Sequence, residues 1–233
     1  MAAQQHPPIP GMTPALTVLQ LDTTFPRIPG DIGCVGTYRA APEIVKIPGA
    51  AVARIVTSDP ARIDIAPFVQ AAQAAQGQLI TTSCGFLSYW QSTIADALDR
   101  HFISSALMAL PTLDLSPNEL LICTFDPDKL NAAHLPDPRF ASSIVGLAPG
   151  THLRQVIEGD LAHLDPDRAQ LELIATLRPH ITDRTRHILL ECTNMPPYKR
   201  AIAQAFGLPV SDILDLIEAA QPGTIHPDFL SAT

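Results

Sequence analysis

The sequence predicts an α/β fold with a mostly parallel sheet. Two observations carry this. Short apolar runs of strand length alternate with segments of helical periodicity, as in successive βαβ units. Two segments far apart in the chain also share one design: a buried-type strand, a cysteine at its end, small or polar residues, then a helix start. They are residues 78–90 (QLITTSCGFLSYW) and 187–199 (HILLECTNMPPYK).

Residues 1–15 (MAAQQHPPIPGMTPA) carry no Lys or Arg and no apolar block, so they read as a loose arm rather than a signal peptide. Residues 16–21 (LTVLQL) form the first expected strand, and 79–82 (LITT) the second. A helix is expected over 86–98, because Phe86, Trp90, Ile94 and Leu98 recur every four residues. Residues 120–124 (LLICT) and 143–147 (SIVGL) are further strands, the latter closed by Pro149-Gly150. Asp165 then Pro166 is a helix-start signal, and Leu171, Ile174 and Leu177 mark the apolar stripe that follows. Residues 188–190 (ILL) make a strand, 197–206 a helix stopped by Gly207, 208–210 a strand and 212–220 a helix.

Composition narrows the functions. The chain has 233 residues, 46% hydrophobic and 16% charged, which describes a globular protein. A net charge of −8 argues against nucleic acid or an anionic membrane as partner. No apolar run is long enough to span a bilayer. The four cysteines, Cys34, Cys84, Cys123 and Cys192, are widely spaced, so neither a disulfide framework nor a zinc site is expected; with the leaderless N-terminus this points to the cytoplasm. The eight histidines show no metal-binding spacing, and the glycine-rich phosphate loops and the GxSxG elbow are absent. The expectation is no metal and no cofactor.

In parallel sheets, ligands bind beyond the C-terminal strand ends. Cys84 and Cys192 both fall there. A helix start offers N–H groups and partial positive charge, which favour a thiolate. One such cysteine is equally a small buried hydrophobe; two at equivalent positions favour chemistry. One thiolate can take a proton from carbon while the opposite thiol returns one to the other face, inverting a stereocentre. Cys123, inside a strand, reads as core, and Cys34 has no assigned role.

Residues 19–33 (LQLDTTFPRIPGDIG), 80–87 (ITTSCGFL) and 189–198 (LLECTNMPPY) resemble the aspartate/glutamate/hydantoin racemase superfamily. The resemblance implies two subdomains related by a pseudo-twofold axis, each a doubly wound, mostly parallel sheet flanked by helices. The first would hold 16–105 and 207–233, the second 106–206. It implies Cys84 and Cys192 as opposed acid/base groups, Asp22 as an assisting acid, and Thr193 and Asn194 as substrate contacts; a homodimer is a family-based expectation. Two departures stand out. Family amino-acid racemases usually follow the first cysteine with Asn-Thr, where Gly85-Phe86 stands here, and glutamate racemases follow the second with Thr-His, where Thr193-Asn194 stands. The substrate contacts are therefore altered.

Other residues have two readings each. Arg27 is placed to clamp a carboxylate, or is a loop arginine paired with Asp31. Ser83, Gly85 and Thr124 are further candidate substrate contacts, with Thr82, Ser104 and Ser105 behind them. Glu191 either orients a neighbour or caps the sheet end. The leading expectation is a cofactor-independent racemase or epimerase acting at the carbon next to a carboxylate of a small amino acid or related acid. The alternatives are a decarboxylase or cis–trans isomerase of a small dicarboxylate, and a non-catalytic carboxylate-binding protein.

Overall fold

A computed structural model describes residues 13–230; the expected arm falls outside this range except for 13–15. Pro14 and Ala15 already accept backbone hydrogen bonds from Gln78 and Leu79, so the first strand is guided into place before it begins.

The fold consists of two four-stranded parallel sheets. The first joins β1 (Leu16–Gln20), β2 (Glu43–Lys46), β3 (Leu79–Thr82) and β4 (His101–Ile103) in the order β2-β1-β3-β4. The second joins β5 (Leu120–Thr124), β6 (Ile144–Gly146), β7 (His187–Leu190) and β8 (Val210–Ser211) in the order β6-β5-β7-β8. The two orders are the same arrangement repeated, and every pairing is parallel. Helices flank both sheets: α1 (Val52–Ile55), α2 (Ala66–Ala74), α3 (Gln91–Ala95), α4 (His152–Gly159), α5 (Pro166–Leu177), α6 (Lys199–Phe206) and α7 (Ile213–Ala220). Among the described residues no helix is long and apolar enough to cross a membrane.

The central strands β1 and β3 are buried along their whole length, because a parallel sheet is covered on both faces. β2 is only half-buried and β4 has three residues, so neither stands out as an apolar run. After α7 the chain returns to the first sheet's side: Thr224 and Thr37 carbonyls accept from Arg39 and His226, and Tyr38 bridges Ile225.

Several local expectations are corrected. The segment after Cys84 is a 3-10 turn, Gly85–Trp90, followed by the short α3. Tertiary contacts impose it: Phe86 packs edge-on against Phe125 and His134, and the Ser88 hydroxyl donates to the His134 carbonyl at 2.7 Å. In α5, Leu171 is 67% exposed; the buried face is Ala169, Leu173 and Leu177, a strict four-residue repeat that leaves Leu171 outward. Asp165 does cap α5, accepting from the Arg168 amide, and Gly207 ends α6 in the left-handed region at φ 64°.

Candidate active site

The loops after β1, β3, β5 and β7 meet in one narrow cleft at the C-terminal ends of the strands. This is the position the parallel topology predicts. Cys84 and Cys192 both line it, together with Arg27, Ser83, Gly85, Thr193 and Asn194. Much of the remaining wall is apolar: Leu21, Phe25, Val52, Val56, Phe86, Phe125 and Ile157. Thr23 and Glu191 complete it.

The two thiols have matching settings. The Phe86 amide donates to Cys84 and the Asn194 amide to Cys192, in each case the residue two positions on. Each is nearly enclosed, at 6% and 5% exposure. The expectation that the turns favour thiolates is overturned. Burial pushes Cys84 up to about 12, and the nearby Glu191 carboxyl pushes it the same way. Cys192 is pushed well above its ordinary value by burial, by Glu191 and by Cys84. Single N–H bonds and partial helix charges do not offset removal from water. Both cysteines therefore rest as thiols.

Arg27 lies over the Phe25 ring, 4.6 Å from its centroid. Its Nη1 donates to Asp31 Oδ1 at 2.8 Å and its Nη2 to Thr23 Oγ1 at 3.1 Å. Gly33 makes this possible, since a Cβ there would fall 2.5 Å from Arg27 Cδ. The other Asp31 oxygen accepts from Asn194 Nδ2 at 2.6 Å, and Asn194 Oδ1 lies 3.6 Å from Cys192 Sγ. A continuous network thus runs from Thr23 through Arg27, Asp31 and Asn194 to the second thiol. Thr193 Oγ1 donates to the Ser83 carbonyl at 2.8 Å, tying the two cysteine turns together. The Ser83 hydroxyl accepts from the Leu21 amide.

Five expected residues lie elsewhere, among them Thr82, whose hydroxyl donates to the Ser104 carbonyl at 2.8 Å. Asp22 does not reach the cleft: it is exposed and accepts from the Gly49 amide at 2.9 Å. The chain after β1 alternates, so Leu21 and Thr23 face inward and Asp22 outward. Thr124 stands behind the wall, its hydroxyl donating to Glu191 Oε2 at 2.7 Å. Ser104 and Ser105 are buried outside the cleft, Ser105 accepting from the Leu107 amide. Cys123 is fully buried in β5, as its place in a strand predicts.

Glu191 is the residue the motif reading underrated. It is 1% exposed, its Oε1 is buried without a hydrogen-bond partner, and burial pushes its carboxyl up to about 7. The available signal was its position: a carboxylate directly after a buried strand and directly before a strand-end cysteine.

The fold is shared with a solved enzyme of the same two-sheet architecture. Arylmalonate decarboxylase superposes with a TM-score of 0.58 over 93% of this chain and 97% of that one, at 14% identity. No family model matches the sequence. Among curated proteins, dimethylsulfoniopropionate lyase 5 of Emiliania huxleyi (strain CCMP1516) is 28% identical over 240 residues, covering 93% of this chain and 47% of the relative. Lyase 6 of the same organism is 28% identical over 230 residues, covering 85% and 57%. The chain thus spans about half the length of the curated relatives it matches.

Proposed function

We propose that this chain is a cofactor-independent enzyme that moves a proton at the carbon next to a carboxylate, with Cys84 and Cys192 as its acid/base pair. The net reaction is racemisation or epimerisation of a small amino acid or related acid. One observation carries this reading: two enclosed thiols, at equivalent strand ends of the two sheets, line the same small cleft. Arg27 is the group to hold the carboxylate, because two of its five donors are used by Asp31 and Thr23 and the side chain lines the cleft. Loss of the carbon-bound proton leaves charge on that carboxylate, where fixed donors stabilise it. The apolar wall strengthens these interactions by excluding water. The two cysteines serve opposite faces of the carbon, so a proton taken by one thiolate is replaced by the other thiol.

A second reading, a lyase, is favoured by the relatives named for dimethylsulfoniopropionate. It begins with the same proton removal and ends with loss of a group from the neighbouring carbon. The Phe25, Phe86 and Phe125 rings in the wall suit a sulfonium or other cationic leaving group.

The test is incubation in D2O with a panel of D- and L-amino acids, hydroxy acids, dicarboxylates and dimethylsulfoniopropionate, followed by NMR. Wild type, Cys84→Ser and Cys192→Ser are compared. Deuterium entry with loss of optical activity, requiring both thiols, is the expected result. An alkene product with release of a sulfide establishes the lyase reading instead. Ligand protection without turnover, unchanged in both serine variants, sinks both and leaves a binding protein.

A further inference from the structure

Glu191 sits within one residue of each thiol in space or in sequence. It immediately precedes Cys192, and its carboxyl occupies the room beside Gly85, which immediately follows Cys84. A Cβ on Gly85 would fall 1.9 Å from Glu191 Oε1. Thr124, from β5, holds Oε2. Oε1 is left buried and unpartnered in the wall of the cleft. An unsatisfied buried oxygen is unfavourable for folding, so its retention calls for a role.

We propose that Glu191 is a positioning residue that governs ionisation of both thiols: its carboxyl, anchored at Oε2 by Thr124 and open at Oε1 between the two cysteine turns, decides whether a second negative charge can form in the cleft. This deepens the reading of Cys84 and Cys192 as the working pair and rests on it. The groups facing the carboxyl are Cys84 from the turn after β3, Cys192 from its own turn, and Cys123 and Thr124 from β5. None of them is cationic; Arg27 acts on Cys84 from the loop after β1 and is itself paired with Asp31. While Glu191 is a carboxylate, ionising either thiol places two like charges in one apolar space, which is strongly disfavoured. Once Glu191 holds a proton, a thiol can ionise as the single anion of the site. The three groups therefore titrate as one coupled unit.

The experiment needs no turnover. Iodoacetamide alkylation is followed against pH, with each cysteine read separately by peptide mass, in wild type, Glu191→Gln and Thr124→Val. Glu191→Gln should speed alkylation of Cys84 and Cys192 about tenfold or more at a fixed pH above neutral, as the thiolate fraction rises. Cys34 is the internal control, because the charges acting on it are Asp31 and Arg27. Thr124→Val removes the bond that favours the carboxylate and should move both profiles the same way by less. A folded Glu191→Gln protein with unmoved Cys84 and Cys192 profiles overturns the proposal, as does a rise shared by Cys34, which would signal general loosening. Should Glu191→Gln fail to fold, the Thr124→Val profile decides on the same criteria. Failure of the functional reading would appear separately, as absence of turnover with the alkylation result intact.

Discussion

Replacing Gly85 by alanine should destabilise the protein through one identifiable collision. The new Cβ would meet Glu191 Oε1 at 1.9 Å, its carboxyl carbon at 2.7 Å and its carbonyl oxygen at 2.9 Å. A flexible carboxylate would ordinarily swing aside, but this one is buried and tied to Thr124 at 2.7 Å. Overpacking of this kind costs about 1–3 kcal/mol. For a chain of this size that lowers the melting temperature by roughly 2–10 °C. The assay is a thermal melt of four proteins: wild type, Gly85→Ala, Glu191→Ala and the double variant. Truncating Glu191 removes the two nearest obstacles and leaves only the backbone oxygen. The double variant should therefore be more stable than the two single effects added together, by about 0.5–3 kcal/mol of coupling. Strict additivity would refute the reasoning, since Gly85 would then be required by something other than the Glu191 side chain.

Stability should also depend on pH through the same carboxyl. Its folded value is raised by burial to about 7 from an ordinary 4.5, so its contribution is fully present below about 4.5 and is lost as pH rises through 7. Glu191→Gln should remove that decline, with a differential on the order of 3 kcal/mol between acid and neutral pH, read from melts at matched ionic strength; Asp212, pushed by burial up to about 6, adds a decline of the same sign in both proteins. Asp160 makes a third test. It ends α4 in the left-handed region at φ 46° and accepts from the Thr24 and Phe25 amides and the Thr24 hydroxyl. Asp160→Gly suits the backbone but loses all three bonds, so amide exchange at Thr24 and Phe25 should quicken by roughly tenfold while the melt moves little; unchanged exchange would mean that the carboxylate does not hold the loop.

The chain's central strands were legible because a doubly covered parallel strand is built mainly from apolar and β-branched residues, as in 16–20, 79–82, 120–124 and 188–190. Edge strands lack that signature, and β2, with Glu43 and Lys46 at its ends, reads as loop. The helix α4 escaped because its N-cap Thr151 makes no side-chain capping bond and its end is an aspartate rather than a glycine in the left-handed region. The two cysteines were legible from strand-end placement alone. Asp22 was misplaced by one step of alternation: its neighbours on either side enter the cleft and it does not. The role of Thr124 depends on Glu191, 67 residues away, and no local pattern reveals such a pairing. Protonation was equally hidden, because the turn geometry favours thiolates and only the tertiary enclosure reverses it.

Several hydrogen bonds join the two halves around the cleft, and under the proposed function they bear on how a substrate is enclosed. Loops of the first sheet are stitched to loops of the second by Thr193 to the Ser83 carbonyl, the Ile32 amide to the Thr193 carbonyl, Asn194 to Asp31, Ser88 to the His134 carbonyl, Asn131 to the Ser58 carbonyl, and Asp160 to Thr24 and Phe25. The same stitches join Arg27 to Asn194 through Asp31, on opposite sides of the opening. Under the proposed function, a carboxylate held at Arg27 would therefore touch the same network that holds Asn194 beside the second thiol. On that reading, binding at Arg27 and the setting of Cys192 are coupled through Asp31 and Asn194.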